Sequence, residues 1–277
     1  MTSAADSTTT FRALHVPGEP LLLPNPWDVG TAKLLAEMGF HALATTSSGH
    51  AASLGRSDGT VTKDEALAHA AAIVEAVRVP VSADLENGFG DAPEAVSATV
   101  RGAVAVGLAG CSIEDFTGNA ESPIYDLGLA AERVVAAAHA ARTGPGLVLT
   151  ARAENFVHGI PDLADTISRL QAYQEAGADV LYAPGLTRTA DIRSVLSSID
   201  RPLNVLVRPG MATVDELAEA GVARISVGGT FSQVAMGAVA RAGRELLEDG
   251  TYSFFELAAC GREQLTAAFG ADSRARR

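Results

Sequence analysis

A short apolar run followed by an alanine-rich amphipathic stretch recurs along this chain from one end to the other, and that alternation constrains the fold more than any other feature. The strand candidates are Leu21–Pro24, Ala42–Thr46, Val79–Asp84, Gly110–Glu114, Leu147–Arg152, Val180–Ala183, Leu203–Val207 and Arg224–Val227. Between them lie helical stretches such as Lys63–Val77, Pro93–Val106, Ala130–Arg142, Asp162–Ala176, Val214–Ala220 and Ser232–Leu247. Several helices end in the same way, at Met38-Gly39, Val106-Gly107, Ala176-Gly177 and Ala220-Gly221. Glycine just past a helix accepts the left-handed conformation that closes it. Eight strands about 29 residues apart, each followed by a helix, predict a (β/α)8 TIM-type barrel. The 277 residues suit one such domain over 1–277, with 1–10 and 271–277 expected to fray. A doubly wound open sheet is the competitor, but no G-x-G-x-x-G follows the first strand and no linker divides the chain. Thr251–Phe269 reads as an extra C-terminal helical segment, expected to pack on a neighbouring subunit.

Composition removes several function classes. With 47% apolar and 19% charged residues the chain is globular rather than disordered. A formal charge of −12 argues against nucleic acid, which selects clustered positive charge. No apolar run approaches the roughly 18 residues of a membrane span. The opening MTSAADSTTTFRALHVPG lacks a basic n-region and an apolar h-region, so it is not read as a secretory signal. Cys111 and Cys260 supply neither a disulfide framework nor a zinc site, and each reads as a free cysteine outside the chemistry. The expectation is a cytoplasmic protein with no membrane partner.

In a barrel of this kind the active site is built from the C-terminal strand ends and the loops after them. Polar residues gather there: Asn25-Pro26-Trp27-Asp28, Thr45–His50 and a loop to Asp58, Asp84–Asp91, Glu114-Asp115, Arg152–Asn155, Asn204 and Gly228-Gly229. Asp84 and Glu86 are two residues apart, so on extended backbone they share a side. With Glu114 and Asp58 they crowd carboxylates around one point, where like charges repel unless a cation lies among them. Hard oxygen donors without His or Cys suit Mg2+, which keeps several waters and takes one or two carboxylates directly. Arg152 offers a fixed fork for a substrate carboxylate. Ser47, Ser48 and the Gly49 amide are candidates to bind a second carboxylate or an oxyanion.

These residues carry a resemblance. Ser82–Gly90 (SADLENGFG) resembles the "DAD-x-GYG" motif of the isocitrate lyase/phosphoenolpyruvate mutase superfamily, and Ile113-Glu114-Asp115 resembles its "IED". Asn25–Asp28 is similar to its opening "N-x-x-D", and Ser48-Gly49, Leu54-Gly55 and Asp58 to its "SG…G-x-D". Arg152 and Asn204 fall on its strand-5 arginine and strand-7 asparagine. The similarity runs over about residues 14 to 249, with six motifs in order at the strand ends. It implies a Mg2+-dependent barrel (with Mn2+ as a substitute), usually a homotetramer exchanging terminal helices. The implied chemistry makes or breaks a C–C or P–C bond through an enolate-like species. By the same resemblance the metal residues are Asp84, Glu86 and Glu114, the second being Glu where the family often has Asp. Asp58, Arg152, Ser48 and Gly49 are then catalytic.

Further expectations rest on position alone. His50 is a candidate acid/base group, against the alternative of a solvent-facing loop histidine. Trp27, Asp28, Ser47, Glu154 and Asn204 are expected to bind substrate, and His158, Tyr182 and Arg208 to border the pocket. The loop after strand 4 reads Phe116–Pro123, FTGNAESP, with no Cys, Lys or His. That departs from the K-K/R-C-G-H sequence of isocitrate and methylisocitrate lyases and from the loop Lys of the phosphonate enzymes. The reading that remains is a Mg2+-dependent lyase or decarboxylase of a small α-keto or 2-hydroxy carboxylic acid. A P–C bond mutase or hydrolase, and a retired barrel that only binds a keto acid, are the alternatives.

Overall fold

The computed structural model describes residues 3–275. Eight strands alternate with helices: β1 Leu21–Leu23, β2 Leu43–Ala44, β3 Val81–Asp84, β4 Gly110–Glu114, β5 Val148–Arg152, β6 Val180–Tyr182, β7 Leu203–Leu206 and β8 Arg224–Ser226. All pair in parallel, in the order β1-β8-β7-β6-β5-β4-β3-β2. The remaining seam, between β1 and β2, is bridged where the Ala44 N–H donates to the Pro24 carbonyl at 3.1 Å. The result is a nearly closed (β/α)8 barrel, as the alternation predicts.

The helices are α1 Ala4–Ala13, α2 Val29–Glu37, α3 Ser47–Ser53, α4 Lys63–Ala76, α5 Pro93–Ala105, α6 Leu127–Ala141, α7 Leu163–Glu175, α8 Thr189–Leu196, α9 Val214–Glu219, α10 Thr230–Arg244 and α11 Phe255–Ala275. Helix α6 starts three residues before the Ala130 expected from hydrophobic pattern, because Asp126 caps it by accepting from the Gly128 N–H at 2.9 Å. A π-helical turn, Glu245–Asp249, extends α10 and stops at Gly250, whose φ is +64°. None of these helices is long and apolar enough to cross a membrane.

Two apolar layers organise the barrel. Leu149 and Ala151 of β5 face outward into the large cluster shared with the surrounding helices. Val148 joins Leu21, Leu23, Val180 and Phe11 in a smaller cluster at the other end. Phe11 is a correction to the expectation that residues 1–10 fray. Residues 4–10 belong to α1, begun by a Ser3/Asp6 capping box, and that helix delivers Phe11, wholly buried, as a plug. Gly110 makes room for it: a Cβ there would lie 2.6 Å from the Phe11 ring and 2.9 Å from the Val148 carbonyl oxygen. At the other end, the backbone is helical to Ala275, where fraying was expected from 271. Residues 1, 2, 276 and 277 lie outside the described residues.

Candidate active site

A cavity of about 590 Å3 opens at the C-terminal strand ends and reaches down between the strands. Its walls include Ser47, Ser48, Asp58, Asp84, Glu86, Glu114, Arg152, Glu154 and Asn204. The site is organised around Arg152, the last residue of β5. Its Nη1 donates to Asp84 Oδ1 at 2.8 Å, its Nη2 lies 3.1 Å from Glu114 Oε2, and its Nε donates to Glu154 Oε1 at 2.7 Å. The guanidinium also lies 5.0 Å from the centre of the Tyr182 ring. Every face of the fork is therefore used, which a lysine ammonium could not reproduce.

The strand ladders explain the convergence. Asp84 pairs in register with Ser112, and Glu114 with Arg152. Alternate residues of a strand share a face, so β3, β4 and β5 each turn their final residue into the same space. Beyond β3 the chain bends sharply: Glu86 has φ +48° and Phe89 φ +60°. Left-handed backbone at non-glycine residues costs free energy and persists where surroundings impose it. Here Arg133, buried on α6, imposes it by donating to the carbonyls of Asn87, Gly90 and Asp91. The Glu86 carbonyl in turn accepts from the Glu114 N–H at 3.0 Å.

Charge is crowded at this end of the barrel. Burial, then the Asp84 and Asp58 charges, push the Glu86 carboxyl up to about 7, against the pull of Arg152. Burial also raises Asp58, with the Ser47 hydrogen bond opposing it. Glu114 is held well above the usual carboxylate range by burial, and Glu154 is raised by the same cause, with Arg152 opposing in both. Burial alone would lower Arg152, but Glu154, Glu114 and Asp84 raise it well above the ordinary arginine value. Five carboxylates thus face one guanidinium. Among the described residues no group of three His, Cys, Asp or Glu side chains is arranged to hold a metal by itself. The donor set fits a hard cation that takes one or two carboxylates and completes its shell with water. The half-buried Glu86, raised by burial and then by like charges, is where a divalent cation would relieve the repulsion.

Helix α3 is a short helix where a loop was expected. Thr46 caps it by accepting from the Gly49 N–H at 3.4 Å. Ser47 donates to Asp84 Oδ2 through its N–H at 3.3 Å and its hydroxyl at 3.1 Å. Ser48 lines the cavity, and Gly229 lets it approach: a Cβ on Gly229 would lie 2.5 Å from Ser48 Oγ. Gly49 does not line the cavity; it is buried, and a Cβ there would meet Thr46 at 2.6 Å and Trp27 at 3.1 Å. Its amide is directed at the helix cap rather than at a ligand.

The structure does not bring three other expected residues to the cavity. His50 stacks on His69 of α4, ring centroids 3.7 Å apart, with its Nδ1 buried and unpartnered. Asp28 caps α2, its Oδ1 accepting from the Thr31 N–H at 2.7 Å. Trp27 offers its carbonyl to His69 Nε2 at 3.0 Å. Asn204 does line the cavity, yet its amide is engaged: Nδ2 donates to Ser226 Oγ at 3.0 Å and Oδ1 accepts from Arg224 Nε at 2.9 Å.

Several residues that shape the site carry no individual role in the sequence pattern. Asn25 ties the tops of three strands, donating to the Ala44 and Thr45 carbonyls and accepting from the Val227 and Gly228 N–H groups. Asp115 holds Glu154 in place by accepting its N–H at 2.8 Å, and is itself fixed by Tyr173 at 2.5 Å and Arg169 at 3.2 Å. Arg224, buried in the floor of the cavity that it helps to line, rests on neutral partners, Asn204, Thr150 and His15. Asn25 and Asp115 stand inside quoted motifs, so a signal existed. Nothing in the sequence pairs Arg224 with His15, 209 positions away.

The family model for phosphoenolpyruvate phosphomutase matches residues 11–247. The chain belongs to the isocitrate lyase/phosphoenolpyruvate mutase superfamily. A candidate lyase/mutase of known structure from Burkholderia cenocepacia J2315 is 50% identical, with a TM-score of 0.90 over 94% of this chain and 95% of that one. The 2-methylisocitrate lyase of Escherichia coli K12 is 31% identical over 225 residues, 77% of this chain and 75% of that protein. A phosphonopyruvate hydrolase solved as a complex with oxalate and Mg++ shares the fold, with a TM-score of 0.84 at 24% identity over 98% of this chain and 96% of that one. Within this superfamily, the strand-end carboxylates and the Arg152 fork occupy the barrel end expected from the sequence.

Proposed function

We propose that this chain is a Mg2+-dependent lyase or decarboxylase acting on a small α-keto or 2-hydroxy carboxylic acid through an enolate. The observation that carries the reading is the Arg152 fork, set among Asp84, Glu114 and Glu154 in the mouth of the cavity. A substrate carboxylate exchanges with these internal partners and takes up the bidentate geometry that a guanidinium favours. Asp84, with Glu86 and Glu114 nearby, holds the cation. When bound, Mg2+ supplies positive charge to the developing enolate. Ser47 orients Asp84, and Ser48 presents a hydroxyl to the oxyanion end. Asp58 accepts or holds a proton at the cavity edge. The relationship to a 2-methylisocitrate lyase supports the carbon–carbon reading over a phosphonate one, as does the absence of lysine from the β4 loop.

The chain is further proposed to work as a homotetramer. Side chains of α10, the π turn, the connection after it and α11 support this: Val239, Leu247, Tyr252 and Phe255 are exposed on one chain. The test of function is release of pyruvate or glyoxylate from a panel of keto and hydroxy diacids and phosphonopyruvate, with Mg2+ and again with EDTA. Metal-dependent release from a dicarboxylate is expected, and Asp84→Ala should abolish it. Release from phosphonopyruvate alone would overturn the substrate class, and ligand binding without turnover would favour the retired barrel.

A further inference from the structure

We propose that His158 carries the proton between solvent and the enolate carbon, the task for which the β4 loop of this chain has no cysteine, lysine or histidine; this rests on the enolate reading above. Among the described residues that line the cavity, His158 is the single imidazole. Its ring lies flat on Phe116, centroids 3.8 Å apart and planes 6° from parallel, so a residue of the β4 loop fixes the ring plane. Its Nε2 faces Glu154 Oε2 at 3.9 Å, while the other oxygen of that carboxylate is bonded to Arg152. Glu154 is anchored from behind by Asp115. The imidazole therefore stands one residue away from the fork that would hold the substrate, with a carboxylate beside it to stabilise its charged form. At 3.9 Å the carboxylate is an ion-pair neighbour rather than a hydrogen-bond partner, and with the stacked Phe116 it places the ring as a proton-transfer group at the cavity wall.

The charged groups that face His158 are Glu154, Asp115 and Arg152. Burial lowers its affinity for a proton, Asp115 raises it and Arg152 lowers it, leaving the ring neutral near pH 7. A neutral ring is the base form. With pyruvate bound, it takes a C3 proton: the C–H pair becomes the C=C of the enolate, and the carbonyl oxygen takes the negative charge. In the cleavage direction the ring must first take a proton from solvent; the imidazolium then gives that proton to the same carbon after C–C cleavage, the C=C pair becoming the new C–H bond as the enolate closes to the ketone. Solvent then restores the ring.

The assay is exchange of the pyruvate methyl protons in D2O with Mg2+, followed by proton NMR, alongside calorimetric binding of oxalate as an enolate mimic. His158→Asn and His158→Gln should each lose exchange by about 10²–10⁴-fold, with oxalate affinity within about twofold of the parent. Added imidazole should restore part of the exchange in His158→Ala. The parent's exchange should show a pH limb below the ordinary imidazole range that is absent from His158→Gln. Exchange within threefold of the parent in His158→Asn, or survival of that limb in His158→Gln, would overturn the role of His158. Failure of the parent to exchange would overturn it too. The enolate reading is judged separately by the release assay above: metal-dependent release from a dicarboxylate with no exchange overturns the role of His158 alone, and loss of both release and exchange overturns the enolate reading.

Discussion

Replacing Arg152 by Gln is the most informative single perturbation, because the structure gives its cost and its pH dependence together. The change strands Asp84, Glu114 and Glu154, whose side chains are 18%, 11% and 4% exposed. Removing one partner of a buried ion pair costs about 3–5 kcal/mol. The open mouth of the cavity argues for the lower end, about 3 kcal/mol, which in a domain of this size lowers Tm by about 6–12 °C. The sign with pH follows from which state binds more protons. Glu114 and Glu154 already titrate above their unfolded values through burial, and loss of Arg152 raises them further. Between the unfolded and folded pKa the native state binds the extra proton, so stability falls as pH rises. The deficit of Arg152→Gln is then full above the raised folded pKa and shrinks as pH drops toward the unfolded carboxylate range. Urea denaturation in EDTA at pH 8 and pH 5 reads both quantities. Arg152→Lys keeps the charge but not three separate contacts; it should recover much of the stability and little of the oxalate affinity. A stability gap that is the same at both pH values, or a Gln variant as stable as the parent at pH 8, would refute this account of the site.

Gly110→Ala should destabilise by about 1–3 kcal/mol, because overpacking against Phe11 and a strand carbonyl admits no simple relaxation. Phe11→Ala in the same chain should not restore it fully, since the carbonyl contact remains; an unchanged denaturation midpoint in Gly110→Ala would contradict the packing. Burial and the nearby Arg224 lower His15 from 6.5 to about 3. The unfolded state thus binds the proton first, and stability is lost as pH falls below 6.5. At pH 5 that loss is about 2 kcal/mol, and it should be absent from the difference between pH 7 and pH 5 in His15→Gln. Sedimentation at micromolar concentration should give four times the 28.4 kDa chain mass, and Leu247→Lys should lower it; a monomer in the parent would remove the assembly.

The sequence by itself determined the architecture and most of the chemical cast. Eight apolar runs separated by amphipathic stretches leave few ways to bury both faces of a parallel sheet, and a closed barrel leaves no edge. The residues that end those strands then fall on one rim, which is why Asp84, Glu114, Arg152 and Glu154 could be picked out from strand position and motif. Local chemistry was harder to read. The Ser47–Ser53 segment looks like a loop in sequence and becomes a helix because Thr46 caps it. His50 stands beside Ser48 in the chain, yet its ring stacks on α4, outside the cavity. The N-terminal residues look like a polar tail until Phe11 is seen filling the end of the barrel.

Tertiary structure alone decided which charges meet and which partners hold them. Arg152 bonds to three carboxylates, from the ends of β3 and β4 and from just beyond β5, because the parallel register turns Asp84, Glu114 and Arg152 to the same face at neighbouring levels. Arg133, Asp115 and Arg224 fix the loops and floor of the site through partners 20 to 209 residues away. Such contacts leave no periodicity in the chain, since they depend on where separate elements come to rest. The periodic burial of apolar residues is a local property that sequence reports directly; the meeting of buried polar groups is set by packing, and only the folded chain shows it.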